Sequence, residues 1–194
     1  MMQPPLSPFL FEHVQTMSPF VHAGIFRRDQ RTSNPRGLSF LPGGTHSIRE
    51  AGLTRRLASL QLSCRPEDLR LIHQVHGDTI VYRGPRDDDH RTIPDADAQW
   101  TDQKGLLLLV HVADCCPVIV ASERTGLAGI AHAGWRGAHL GVSSRLLTAM
   151  SAASSTDIRH FRAWIGPCAE ARRYEVGPEF RDFFGGIPEV VVPH

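Results

Sequence analysis

Three side chains in this sequence have the types and surroundings to do chemistry together: His76, Cys115 and His132. Each stands at a turn beside an apolar run. Two imidazoles and a thiolate leave the fourth tetrahedral position of a zinc ion for water, the arrangement catalytic zinc uses, whereas a structural site closes all four. An ion held in this way lowers the pKa of its water to ~7 and so supplies hydroxide at neutral pH. The plainer reading is a buried cysteine, among the commonest core residues, with two histidines that cap turns. The separations along the chain match no short zinc motif. Copper fits less well, because coupled copper centres rely on His-x-His pairs and none of the eleven histidines lies two residues from another. The same Cys115 and His132 would also serve a metal-free cysteine hydrolase, as nucleophile and base.

Other groups gather around this set. His73 precedes His76 by three residues, but on a strand the two point to opposite faces. His111 precedes Cys115 by four and would join it only on a helix. His22, His46, His90, His139 and His160 read as solvated, and Cys116 as core. Asp114 adjoins Cys115 and Asp97 sits in a turn able to approach it. Either carboxylate would orient a ligand histidine or move a proton, or would simply hold backbone amides. Gly134 and Gly137 flank Trp135-Arg136 and predict a chain reversal whose amides, with Arg136, would hold an anion. The plainer alternative is that the glycines serve only the turn and Trp135 only the core.

Strands must position these residues. Residues 106–112, 113–121 and 129–137, the last two joined by a short polar turn, read as buried strand, loop, buried strand, turn and strand, since short apolar runs bounded by turns suit strands covered on both faces. Pairing would bring Cys115 and His132 to one sheet edge. Phe9-Leu10-Phe11 and residues 21–27 are further strand candidates, 28–44 a loop, and 48–60 a helix with Leu53, Leu57 and Leu60 at helical spacing. Arg65-Pro66-Glu67-Asp68 suits one helical turn. Residues 71–82 read as two short strands broken at Gly77, and 83–98 as a loop. Residues 138–153 predict an amphipathic helix with Leu140, Leu147 and Met150 on one face. Residues 161–166 read as a strand, and 178–184 as a short helix. Strands outnumber helices without alternating with them, so an α+β fold is expected.

Composition bounds the rest. A chain of 194 residues with 41% hydrophobic content suits one domain, residues 1–194, with a real core. A formal net charge of +1, with charges dispersed, predicts no face for nucleic acid or membrane and points to small-molecule partners. Lys104 is the only lysine, which nearly removes Schiff-base and P-loop chemistry. Four cysteines do not make a disulfide scaffold, and the first nineteen residues read as neither signal peptide nor membrane span, so a cytoplasmic protein is expected.

Gln74-Val75-His76-Gly77, Ala96-Asp97-Ala98 with Thr101, Ala113-Asp114-Cys115 with Pro117-Val118, and His132-Ala133-Gly134-Trp135-Arg136-Gly137, in this order, resemble the YfiH family. Trp164-Ile165-Gly166-Pro167 and Tyr174-Glu175-Val176-Gly177 extend the match. Members of this family were first named multicopper polyphenol oxidoreductases or laccase-domain proteins and are now described as purine nucleoside phosphorylases. The resemblance implies zinc on His76, Cys115 and His132, and phosphorolysis of adenosine, inosine, guanosine and methylthioadenosine, with adenosine deamination at the same site. It further implies a layered α/β/β/α sandwich with mixed sheets, shared with cytotoxic necrotizing factor catalytic domains.

Asp114, Asp97 and Arg136 are then expected in catalysis, and Arg28, Gln74, Gly134 and Gly137 at the substrate. Where the family has an arginine followed by two glycines, this chain runs Arg28-Asp29-Gln30-Arg31. Family members also continue past the point matching His194, through Cys-Thr, Phe-Ser-Tyr-Arg-Arg and Thr-Gly-Arg motifs that help form the nucleoside pocket. The chain alone is therefore expected to turn nucleosides over poorly, or to be an inactive metal-binding relative, with a homodimer as the assembly that would supply the wall.

Overall fold

The computed structural model describes residues 9–18, 21–28, 52, 55, 56, 58, 59, 62–85, 87 and 92–184. The centre is a five-stranded mixed sheet in the order β4-β5-β8-β7-β9. Its strands are β4 (Ile80–Tyr82), β5 (Ala98–Thr101), β7 (Cys116–Ser122), β8 (Ala128–Ala133) and β9 (Phe161–Ile165). β4 and β5 run parallel, and every other pair is antiparallel. Alternation along β7 explains why both faces are covered. Val118 and Val120 meet Val142, Leu146 and Met150 of a helix, α2 (Val142–Ser154), while Ile119 and Ala121 meet Val21 and Ala23. The last two lie on β2 (Val21–Arg28), which pairs antiparallel with β1 (Phe9–Ser18). The described layers are thus helix, five-stranded sheet and hairpin, an α+β architecture.

A third, two-stranded parallel sheet joins β3 (Leu69–Arg70) to β6 (Leu107–Leu108). It is tied to the central sheet by Gln99, fully buried, whose amide nitrogen donates to Arg70 O at 3.0 Å and Leu109 O at 2.8 Å. Buried carbonyls left without such donors would each cost ~1–3 kcal/mol.

Three expectations are corrected. The leucine run 106–112 is paired as a strand only over two residues and is half-buried from 106 to 111. Beyond Leu109 its backbone bonds the Gln74 side chain rather than a ladder. The segment read as loop to residue 98 is followed by β5, whose short Ala-Gln-Trp-Thr sequence carries little apolar signal. The helix predicted over 138–153 is two helices, α1 (Trp135–His139) and α2, broken where Gly141 takes the left-handed φ of 76° that glycine alone adopts without cost. The break rotates the buried face to Val142, Leu146 and Met150, and Leu140 stays exposed.

A fourth correction concerns residues 71–82, expected to be two strands broken at Gly77: only Ile80–Tyr82 is a strand, and the stretch before Gly77 holds just one isolated bridge, His73 to Asp95. Other expectations stand. Pro66–Asp68 forms a single 3-10 turn, residues 52, 55, 56, 58 and 59 are helical, and α3 (Phe180–Phe184) follows Pro178. The loop 28–44 lies outside the described residues apart from Arg28, which ends β2 and whose side chain lies outside the described set. No helix among the described residues is long and apolar enough to cross a membrane.

Candidate metal centre

The sheet brings the chemistry-bearing residues to one edge because of its strand directions. The starts of β4, β5 and β7 and the end of β8 share that edge: Ile80 is opposite Ala98, Ala98 opposite Ala131, and Cys116 opposite Ala133. His132 therefore ends one strand where Cys115 precedes its neighbour, and Gln74-Val75-His76-Gly77 precedes β4. One ligand atom from each of His76, Cys115 and His132 lies within 4.8 Å of the others. Zinc bonds of ~2.0–2.3 Å place tetrahedral donors about 3.5 Å apart, so small side-chain rotations close the set on an ion. His132 is buried, Cys115 half-buried and His76 exposed, which leaves the fourth direction open to the outside.

Asp97 organises both histidines. It is fully buried, and its carboxylate accepts from the backbone N–H of Val75 at 3.2 Å, His76 at 3.0 Å and Gly77 at 2.6 Å. Its Oδ1 also takes the His132 Nδ1 proton at 2.9 Å, which leaves Nε2 of that ring as the free donor atom. His76 needs the support, since its φ of 60° is left-handed for a non-glycine residue, a conformation costing ~1–3 kcal/mol. Four hydrogen bonds occupy the lone pairs of the Asp97 carboxylate, so it orients and does not travel.

Two glycines let the parts approach. Gly134 caps α1 in extended backbone, with no left-handed turn to require it. A Cβ there would stand 3.0 Å from Cys115 Sγ and 3.1 Å from His76 Cδ2, inside the ligand set. A Cβ on Gly137 would stand 2.8 Å from Gly77 O, so α1 packs directly on the His76 turn. The reading of these glycines as a mere chain reversal is corrected: Gly134 precedes the first helical turn, Gly137 lies inside it, and the space they leave is what the site uses.

The remaining candidates fall as follows. The Gln74 carboxamide is doubly bonded to the His111 backbone, donating to its O at 2.8 Å and accepting from its N at 2.7 Å. It holds the His76 turn to the segment leading into Cys115. Asp114 is exposed beside Cys115. Arg136 is exposed, with its guanidinium 4.7 Å from the Trp135 ring centre. His73 turns away and bonds Asp95 at 2.8 Å. His139 is exposed, as expected, with its ring edge-on to Phe183 and Phe184. Trp135, half-buried, packs against Phe180 and Phe183 of α3.

Electrostatics adds one residue that spacing did not single out. Burial first, then Cys115 and Asp114, raise the Tyr174 phenol above its ordinary pKa, while Arg136 lowers it, so the ring stands among these three groups. Its only signal in the sequence was a place in Tyr174-Glu175-Val176-Gly177. Burial, then Asp114 and Asp97, push the Cys115 thiol up. Burial, then the adjacent Cys168 thiol, push Cys116 up to about 11.

A family model described as multi-copper polyphenol oxidoreductase laccase matches residues 47–189, a span holding all three ligand candidates. The chain belongs to that family. Among curated relatives, a purine nucleoside phosphorylase of Rickettsia prowazekii is 35% identical over 140 residues, 72% of this chain and 55% of that one. Another, from Streptomyces griseus, is 39% identical over 139 residues, covering 71% and 56%. The chain spans about half the length of the curated relatives it matches. The fold is similar to that of Bacillus licheniformis YfiH, with a TM-score of 0.76 at 23% identity over 86% of this chain and 66% of that one. YlmD from Geobacillus stearothermophilus gives 0.72 at 27% identity, over 81% and 61%.

Proposed function

We propose that this chain carries the zinc-binding part of a purine nucleoside phosphorylase site, acting on adenosine, inosine, guanosine or methylthioadenosine with phosphate. The observation that carries the reading is the His76, Cys115 and His132 donor set at one sheet edge, with relatives named purine nucleoside phosphorylase. When bound, the ion supplies Lewis acidity and lowers the pKa of a coordinated water to ~7, which also suits adenosine deamination at the same place.

The protein's own groups divide the remaining work. Asp97 fixes His132 and the His76 turn. Asp114 is the exposed carboxylate beside the cluster, free to hold the proton that the departing base must gain when the C–N bond breaks and a phosphate oxygen bonds the sugar carbon. Arg136, exposed near Tyr174 and Asp114, receives the phosphate, and Arg28 is a second candidate for that role.

A cysteine hydrolase is less well supported, because the raised pKa keeps Cys115 a thiol at neutral pH unless a cation draws off its proton. A copper phenol oxidase lacks the histidine pairs it needs. The deciding assay follows base release from inosine by metal-loaded protein, with and without phosphate. The reading expects slow release of hypoxanthine and a pentose 1-phosphate that requires both phosphate and metal. Equal release in the phosphate-free control, or after metal removal, overturns it. No release at all from loaded protein assigns the chain to the inactive metal-binding relatives.

A further inference from the structure

β9 closes one side of the central sheet, with β7 as its only strand neighbour among the described residues. The β7–β9 register runs on at both ends, where Glu123 N donates to His160 O at 3.1 Å and Gly166 N to Pro117 O at 2.8 Å. Arg162 and Trp164 therefore turn their backbone groups toward β7, and Phe161, Ala163 and Ile165 turn theirs outward. No backbone hydrogen bond joins those outward groups to any described residue. The edge also lacks the devices that keep strand edges apart, having no proline, no lysine and no bulge. Its one charged side chain, Arg162, donates to Glu123. Ile165 is 70% exposed and Ala163 is exposed, a bare apolar strip.

We propose that the free edge of β9 is a dimer interface, pairing antiparallel with β9 of a second copy of this chain about a two-fold axis at Ala163. The strand is self-complementary in this register. Phe161, Ala163 and Ile165 exchange backbone bonds with the partner's Ile165, the partner's Ala163 and the partner's Phe161, so every outward group is answered. On one face Ile165 meets the partner's Phe161. On the other, Arg162 meets the partner's Trp164, a cation beside an aromatic ring. Shifting the register in either direction shortens the overlap, and one direction sets Arg162 against the partner's Arg162, a like-charge pair. The axis stands normal to the sheet, so the two central sheets become one and both copies of α2 lie on the same face. A five-residue strand buries less than the ~1,200 Å² of a standard interface, so the dimer is weak and concentration-dependent. This inference does not depend on the nucleoside reading.

The test sediments metal-loaded full chain from about 1 µM to about 1 mM, the span over which a weak interface fills. The expected result is a monomer–dimer equilibrium with no larger species. Amide hydrogen exchange should slow with concentration at Phe161, Ala163 and Ile165, and stay constant at Arg162 and Trp164, which already bond β7. Ile165→Lys, at an exposed position, should weaken the dimer about tenfold or more. Ala163→Pro removes an outward N–H, leaves the β7 ladder intact and should abolish the dimer. The exchange pattern of the unsubstituted protein decides the matter even if a variant fails to fold. A monomer throughout that range, open-ended association, a dimer unchanged by Ile165→Lys, or concentration-dependent protection that spares Ala163 and Ile165 overturns the proposal.

Discussion

Asp97 governs the centre without facing outward, because one buried carboxylate answers three backbone amides of the His76 turn and the ring of His132. An asparagine there would turn a donor toward N–H groups that need an acceptor. Asp97→Asn should therefore weaken zinc affinity about 10- to 100-fold in a chelator competition, with no substrate present. Unchanged affinity would show that Asp97 does not position the ligands. His111 gives a second test at this scale. Burial, then Arg55 and His132, hold its imidazole below the ordinary 6.5. A lowered pKa in the folded state contributes stability that is present above the unfolded value and is lost as pH falls. Metal-stripped protein should thus lose Tm more steeply below about pH 6.5 than its His111→Gln variant, whose backbone bonds to Gln74 are untouched. Parallel pH curves would contradict this. The candidate ligands were legible in the sequence because a thiol and two imidazoles at turns beside apolar runs are chemically conspicuous. Tyr174 was not, since it reaches the site through a loop docked on Asp114 O by the backbone N–H of Ala169.

At the scale of elements, the site depends on α1 lying directly against the His76 turn. The sequence showed Gly134 and Gly137 but not their purpose, because close approach is a property of two segments and each segment alone suggests only a turn. Gly134→Ala should push Cys115 and His76 apart, lowering zinc affinity by on the order of tenfold or more. The metal-free variant should melt within a few degrees of the parent, since the added methyl meets only side chains of the ligand set. Equal affinity in both proteins would show that the ligand set tolerates the methyl. Short apolar runs bounded by turns found the strand cores of β7, β8 and β9. That signal missed β5, and helical periodicity merged α1 with α2 because one glycine in a helical pattern carries no φ.

For the whole molecule, a mixed sheet gathers three strand starts and two strand ends on a single edge, and α2 and the hairpin cover its faces. The α+β class was readable from the count of strands, while the strand order was not, since β4 and β5 pair in parallel across a segment with no helical pattern. The account stands or falls on whether His76, Cys115 and His132 hold an ion together. Elemental analysis of protein purified without added metal, beside a Cys115→Ala variant of matched fold, tests this directly. The account predicts one zinc per chain in the parent, falling below about pH 6 as the histidines protonate, and little or none in the variant. Full zinc content in Cys115→Ala would contradict it.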